Sequence, residues 1–313
     1  MKTNHTKLGF PILALAAAIS LSAQSNENPA RIALLKWYPA NLTTSFAVGV
    51  QPQSIAWDGA DVWVANATSG SVTELRGSDG AVLGTYNVGG APEGIAYDGA
   101  NMWVADSLNA RVIKIRASTG AVLGRFATGS ACRNVVFDGA NIWASNLFAN
   151  TVVKLRASDG SNLGSFSVPS PGQMAFDGAN IWVTSASGSV VKLQASNGTN
   201  LGSFGVGNNP TGVAFDGANI WVAAESSHNV TKLLASDGSN QGTYTGFGYP
   251  QGVVYDGEYI WVVDEASNNV TKLQISDGTK LGVFGVGGSP VAIAFDGVNI
   301  WVTQYAGGYV SKL

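Results

Sequence analysis

Seven Asp-Gly pairs recur in one register along this chain, at Asp58, Asp98, Asp138, Asp177, Asp216, Asp256 and Asp296, with successive spacings of 40, 40, 39, 39, 40 and 40 residues. A tryptophan follows each aspartate by five positions: Trp63, Trp103, Trp143, Trp182, Trp221, Trp261 and Trp301. Seven copies of one unit near 40 residues long dominate every other consideration. In such arrays a unit buries its apolar face only against its neighbours, so the copies must stack or close. The length of 313 residues, which would otherwise point to two domains, is then compatible with one repeated architecture.

Each copy divides into four short strands bounded by turn residues. In the second copy these are residues 94–97, 101–105, 111–116 and 122–128. The first two are joined through Asp98-Gly99-Ala100 and the last two through Ser118-Thr119-Gly120. Glycine supplies the positive φ of a tight hairpin, and Asp or Thr can bond its own backbone. Four consecutive antiparallel strands form a meander, and meanders repeated at this period form the blades of a propeller. Met102, Trp103 and Val104 are all apolar, although neighbours on a strand face opposite ways. The second strand is therefore expected to be buried on both faces, between the preceding blade and the next. The tryptophans read as packing elements, not as an aromatic cofactor site, because all seven share one position in the repeat.

Ring closure tests the expectation internally. The seventh copy ends at Leu313 after its third strand, Val310-Ser311-Lys312-Leu313. Its missing fourth strand is matched near the other end of the chain, where Thr44-Ser45-Phe46-Ala47-Val48-Gly49 resembles Gly202-Ser203-Phe204-Gly205-Val206-Gly207. The expected fold is all-β: a seven-bladed propeller of four-stranded antiparallel blades, with the last blade closed by an N-terminal strand. Closure of this kind removes strand edges that would otherwise recruit other chains.

Forty glycines and a charged fraction of only 12% suit a turn-rich all-β protein. Lys2 and Lys7, the apolar run from 8 to 21 and the small residues Ser22 and Ala23 have the form of an export leader. The expected division is a leader over 1–23, a lead-in over 24–41 and the propeller over 42–313, with the mature protein secreted or otherwise extracytoplasmic, in a periplasm or at a cell surface. No further segment is apolar for long enough to span a bilayer. Loss of the two leader lysines leaves 15 basic against 20 acidic residues, a mildly acidic surface without a basic run. Nucleic acid is thereby excluded as the expected partner. The C-terminal Ser311-Lys312-Leu313 has the form of a peroxisomal address, but the repeat already accounts for it. Cys132 is the single cysteine, so no intrachain disulfide forms; it sits where other copies carry proline and reads as a small packed residue.

The segments Pro92-Glu93-Gly94-Ile95-Ala96-Tyr97-Asp98-Gly99 and Trp103-Val104-Ala105-Asp106 resemble the repeats of the NHL, YVTN and streptogramin-lyase-like group of propellers. The resemblance extends over essentially the whole chain after the leader. It implies the propeller fold but not one activity, since the group includes enzymes, binding modules and proteins without known role.

In a four-stranded meander the turns between strands one and two, and three and four, lie on one face, which is monotonous here. The turns between strands two and three, and the links between blades, lie on the other and vary from copy to copy. The varied face is the expected working surface. Around its central mouth stand Gln53, Glu93, Arg133, Gly172, Thr211, Gln251 and Val291, the residue after the proline position of each copy. Gln53, Glu93, Arg133, Gln251 and Tyr305 are the ligand-binding candidates. Glu93 and Arg133, on neighbouring blades, either pair with each other or leave Arg133 to grip a carboxylate or phosphate. The turns also supply Asn66, Asp106, Asn146, Asp264 and Gln304 three positions after a tryptophan, and Phe148, Tyr249, Tyr305 and Tyr309 as candidate aromatic anchors. Glu225, His228, Asp264 and Glu265, on adjacent blades, have the chemistry of a site for a divalent cation, the one cofactor the sequence raises; a solvated acidic patch is the alternative.

The function expected is a non-enzymatic binding or interaction module whose partner is a glycan, a peptide or a protein. A metal-dependent lyase or hydrolase related to streptogramin lyases is the alternative, and a structural cell-surface protein a third. The resemblance implies, for a streptogramin lyase, a metal and more than one histidine near the mouth. After leader removal only His228 remains, too few to serve as both ligand and base. No Gly-x-Ser-x-Gly elbow, phosphate loop or paired-histidine metalloprotease motif is present in the sequence.

Overall fold

The computed structural model describes residues 44–313; the expected leader, the lead-in and the first residues of the propeller region lie outside them. The described chain forms seven four-stranded antiparallel sheets. Blade 1 comprises Pro52–Trp57, Asp61–Asn66, Ser71–Arg76 and Val82–Asn87, and blade 2 comprises Pro92–Tyr97, Asn101–Asp106, Arg111–Arg116 and Val122–Ala127. Blades 3 to 6 repeat this order. Blade 7 is built from Pro290–Phe295, Ile300–Gln304 and Tyr309–Lys312, with Ser45–Ala47 as its outermost strand. There Ser45 faces Ser311, Phe46 faces Val310 and Ala47 faces Tyr309. Two further bonds extend the seam, Lys312 N–H to Thr44 O at 2.7 Å and Val48 N–H to Gly308 O at 2.9 Å. The expected closure is therefore the observed one.

Innermost strands begin at the proline position, two residues earlier than the sequence pattern indicates. Proline is tolerated there because the innermost strand is an edge, whose outward N–H has no ladder partner to lose. The second strands are buried on both sides: six of the seven tryptophans are fully inaccessible and Trp261 nearly so. Each indole is satisfied in the same way. Its Nε1–H donates at 2.6–2.8 Å to a carboxylate oxygen of the Asp-Gly aspartate five residues earlier, while the other oxygen accepts the turn amides, as when Ala100 and Asn101 N–H donate to Asp98. The aspartates are thus more than turn formers. They neutralise a buried donor that would cost about 1–3 kcal/mol if left alone.

Each tryptophan also packs on an aromatic ring of its own outermost strand, with centroids 5.3–5.6 Å apart. Phe46 performs this role in blade 7 although it comes from the other end of the chain. Six of these outer rings, all but Phe284, cover the third-to-fourth-strand turn of the next blade. A Cβ on Gly80 would fall 2.2 Å from Phe46, and one on Gly120 1.7 Å from Tyr86, so only glycine admits the ring; both glycines also have positive φ. Packing and turn chemistry together specify how one blade meets the next.

Candidate functional site

The second residue of each innermost strand rings the channel on the face carrying the variable turns. Gln53, Glu93, Arg133, Gly172, Thr211 and Gln251 all line one depression of about 220 Å3 at this mouth, together with Leu147, Ser170 and Ala186 from the surrounding turns. Four of the five ligand-binding candidates are thus brought together. Tyr305, half-buried in the second-to-third-strand turn of blade 7, does not line the depression. Below it the channel continues as a second cavity of about 200 Å3, lined by the next residue of several innermost strands, among them Ser54, Asn134, Gln173 and Gly212.

Arg133 and Glu93 do pair, Nε to Oε2 at 3.3 Å, with the arginine side chain 53% exposed. The other Glu93 oxygen accepts Ser107 Oγ at 2.6 Å. An exposed pair of this kind contributes about 0–1 kcal/mol, so it orients the guanidinium without consuming it. Its terminal nitrogens have no partner among the described residues. Beneath the rim, the Asn134 amide donates to Gln173 at 2.6 Å and accepts Met174 N–H at 3.2 Å, binding blade 3 to blade 4. At Gly212 the neighbouring backbone comes so close that a Cβ would stand 2.1 Å from Gln251 O. The inner ring was not singled out in the sequence; the signal for it was simply the position after the rim residue in each copy.

The four candidate metal ligands are engaged separately. Asp264 is buried and accepts the N–H groups of Gly248, Tyr249 and Ser267. Glu225 accepts from Asn209 at 2.7 Å and Glu265 from Gln251 at 2.9 Å. His228, in a left-handed conformation with φ 55°, bonds Gly248 O through Nδ1 and stacks on Tyr249. Among the described residues no three His, Cys, Asp or Glu side chains are arranged to hold a metal ion. In this structure the carboxylates are occupied by loop amides and side-chain amides.

The residues three positions after each tryptophan are engaged in a similar way. Asn66, Asp106, Asn146, Asp264 and Gln304 are all buried, and most fasten the link that enters their blade. Asn66 accepts Gly49 N–H, Asp106 accepts Ala91 N–H, and Asn146 donates to Thr128 O. They shape the varied face from beneath. That face exposes apolar and aromatic side chains among its polar ones: Phe148 is 78% exposed, and Leu108, Tyr249 and Tyr309 are also accessible. Cys132 is completely buried, and burial pushes its thiol far above the ordinary range, which removes it as a nucleophile.

No protein-family model matches the chain, and no curated protein matches it by sequence. Solved structures do. A streptogramin B lyase structure superposes with a TM-score of 0.73 at 15% identity, over 86% of this chain and 95% of the other. A chain of Kuenenia stuttgartiensis hydrazine synthase gives 0.73 at 17% identity, over 84% and 95%. At such identities the likeness is one of fold, and it establishes a β-propeller of the streptogramin-lyase-like shape.

Proposed function

We propose that this protein is a secreted or extracytoplasmic binding module that receives part of a glycan, peptide or protein partner at the channel mouth. The observation that carries this reading is the depression in which the exposed Arg133 guanidinium shares the lining with the small residues Gly172 and Ser170, with Gln53, Gln251 and Thr211 as further polar contacts. At about 220 Å3 it is smaller than the roughly 300–1,000 Å3 of sites for drug-sized ligands. It suits a single projecting group, such as a carboxylate-bearing side chain, chain end or sugar acid. Arg133 would hold the anion through its two terminal nitrogens, and Leu147 with the exposed Phe148 would meet the adjoining apolar part. Among the described residues no helix is long and apolar enough to cross a membrane, in keeping with a module that works outside the bilayer.

Screening the full chain against glycan and peptide arrays, followed by calorimetry on the hits, tests the proposal. Arg133→Ala should weaken binding of an acidic ligand at least tenfold, and Gly172→Trp should abolish it by filling the depression. Binding unchanged in both variants would refute the placement of the site.

A further inference from the structure

Five of the seven joints between blades carry the same fastening. A lysine on the third strand lies over its own blade's tryptophan, Nζ 4.9–5.2 Å from the ring centroid. It then donates to a backbone carbonyl in the third-to-fourth-strand turn of the next blade. The bonds are Lys114 to Ala157 at 2.7 Å, Lys154 to Ala195 at 2.6 Å, Lys192 to Ala235 at 2.7 Å, Lys232 to Ile275 at 2.6 Å and Lys312 to Gly77 at 2.8 Å. At the joint from blade 6 to blade 7 the lysine is present as Lys272, held over Trp261 and Tyr259. The joint from blade 1 to blade 2 differs in kind. The residue opposite Trp63 is Glu74, just as Lys114 is opposite Trp103.

Glu74 is only 9% exposed. It shares one inter-blade groove with Asp58 and Asp61 of its own blade and with Tyr97, Ala100, Ala117 and Ser118 of blade 2. The Ala117 and Ser118 carbonyls, counterparts of those the lysines reach elsewhere, accept nothing among the described residues. The groove thus brings carboxylate and carbonyl oxygens together where its sisters place an ammonium. Five donors moderate this: Tyr86 OH to Glu74 at 2.6 Å, Gly77 N–H to Asp61 at 3.4 Å, and the Trp63 indole at 2.8 Å with the Ala60 and Asp61 N–H groups at 2.9 and 2.7 Å to Asp58. The nearby cations are committed or turned to solvent. Arg76 pairs with Asp79 at 3.0 Å, Lys312 of blade 7 is held by the Gly77 and Ser78 carbonyls, and Arg116 beside Ala117 is exposed. From blade 2, Tyr97 faces the groove, and Asp98 behind it is bound to Asn101 and Trp103.

We propose that the joint between blades 1 and 2 is an acid-tightened latch: Glu74 holds the two blades together when it carries a proton and releases them when it is charged. A protonated Glu74 no longer repels Asp61 and Asp58 within its own blade, and its O–H becomes a donor beside the unpaired Ala117 and Ser118 carbonyls of blade 2. The electrostatics agree with the geometry. Burial raises Glu74 above the usual carboxylate range, and the charges of Asp61 and Asp58 add to the rise against the opposing Tyr86 bond. Burial likewise raises Asp61, and burial together with Glu74 pushes Tyr86 up to about 12. For a carboxyl whose folded pKa is raised, the stabilisation is complete below the ordinary value of 4.5 and is lost as pH rises through the folded value. The sensitive window therefore opens above pH 4.5.

Thermal midpoints of the full-length wild type, Glu74→Gln and Glu74→Lys, measured at pH 4.5 and pH 7, test the latch. Glutamine mimics the protonated side chain, so Glu74→Gln should match the wild type at pH 4.5 and exceed it by about 2–4 °C at pH 7. Glu74→Lys, which installs the residue of the other blades, should also exceed it at pH 7. Hydrogen exchange, corrected for intrinsic rate, should show residues 112–120 better protected at pH 7 in Glu74→Gln than in the wild type. An offset between Glu74→Gln and wild type that is the same at both pH values, or protection unchanged by the substitution, would overturn the proposal.

Discussion

Phe46→Ala is the most demanding test of how the ring is held. Phe46 is half-buried, packs on Trp301 with ring centroids 5.6 Å apart, and covers Gly80 in the turn of blade 1. It therefore touches both the last blade and the first from a strand only three residues long. Truncating a fully buried phenylalanine costs about 3–5 kcal/mol. With part of the ring exposed, about 2–3 kcal/mol is expected here, and at about 2–4 °C per kcal/mol the melting midpoint should fall by about 4–12 °C. Two controls make the figure interpretable. Phe126 has the same two contacts, Trp103 and Gly160 of the next blade, within one continuous chain, so Phe126→Ala should cost about as much. Phe284 packs on Trp261 but is 39% exposed, with no glycine turn of a following blade over it among the described residues, so Phe284→Ala should cost about 1 kcal/mol. Urea and thermal unfolding followed by tryptophan fluorescence would rank the three. A loss at Phe46 no larger than at Phe284 would show that the closing strand is not what holds the chain ends, and the ring argument would fail with it.

Asp216→Ala strands the buried Trp221 indole, now bonded at 2.7 Å, and frees the Ala218 and Asn219 amides; a loss of about 3 kcal/mol in urea unfolding is expected, and under 1 kcal/mol would contradict the role assigned to the aspartate. Burial raises the Asp216 pKa but the indole and amide donors outweigh it, leaving the group below its ordinary value of 3.8. Its stabilisation is therefore present above pH 3.8 and disappears as pH falls through the folded pKa, so wild type and Asp216→Ala should converge in midpoint toward pH 2, opposite in sense to Glu74. Cys132, enclosed and with its thiol pushed up, should resist alkylation in the folded protein and react on unfolding in urea; labelling at the same rate in both states would show the site to be open.

The ring was legible because its determinants repeat. A period of 39 or 40 residues, a tryptophan in one fixed position and a Phe-containing strand displaced to the other end of the chain leave one closed arrangement, and Phe46 landing on Trp301 follows from the match of 44–49 to the fourth strands of other copies. The rim of the mouth was legible for the same reason, since Gln53, Glu93, Arg133 and Gln251 occupy one repeat position and must share one level of the channel. The partners of Asp264 were not legible, for a physical reason that the pattern conceals. Alternation along a strand separates inward from outward residues only when one face is exposed, and the second strands are buried on both. Position three after the tryptophan therefore has no outward option, and Asp264 turns in to bind Gly248 and Tyr249. Glu74 shows the converse. Its place among lysines is visible by aligning Val72-Thr73-Glu74-Leu75 with Val270-Thr271-Lys272-Leu273, but that this position faces the next blade emerges only from the Ala157, Ala195 and Ala235 carbonyls that the lysines at its place find there. Departures from a repeat carry meaning only after the repeat's own side chains have been given their partners, and here they place the anomaly at a joint between blades, well away from the mouth.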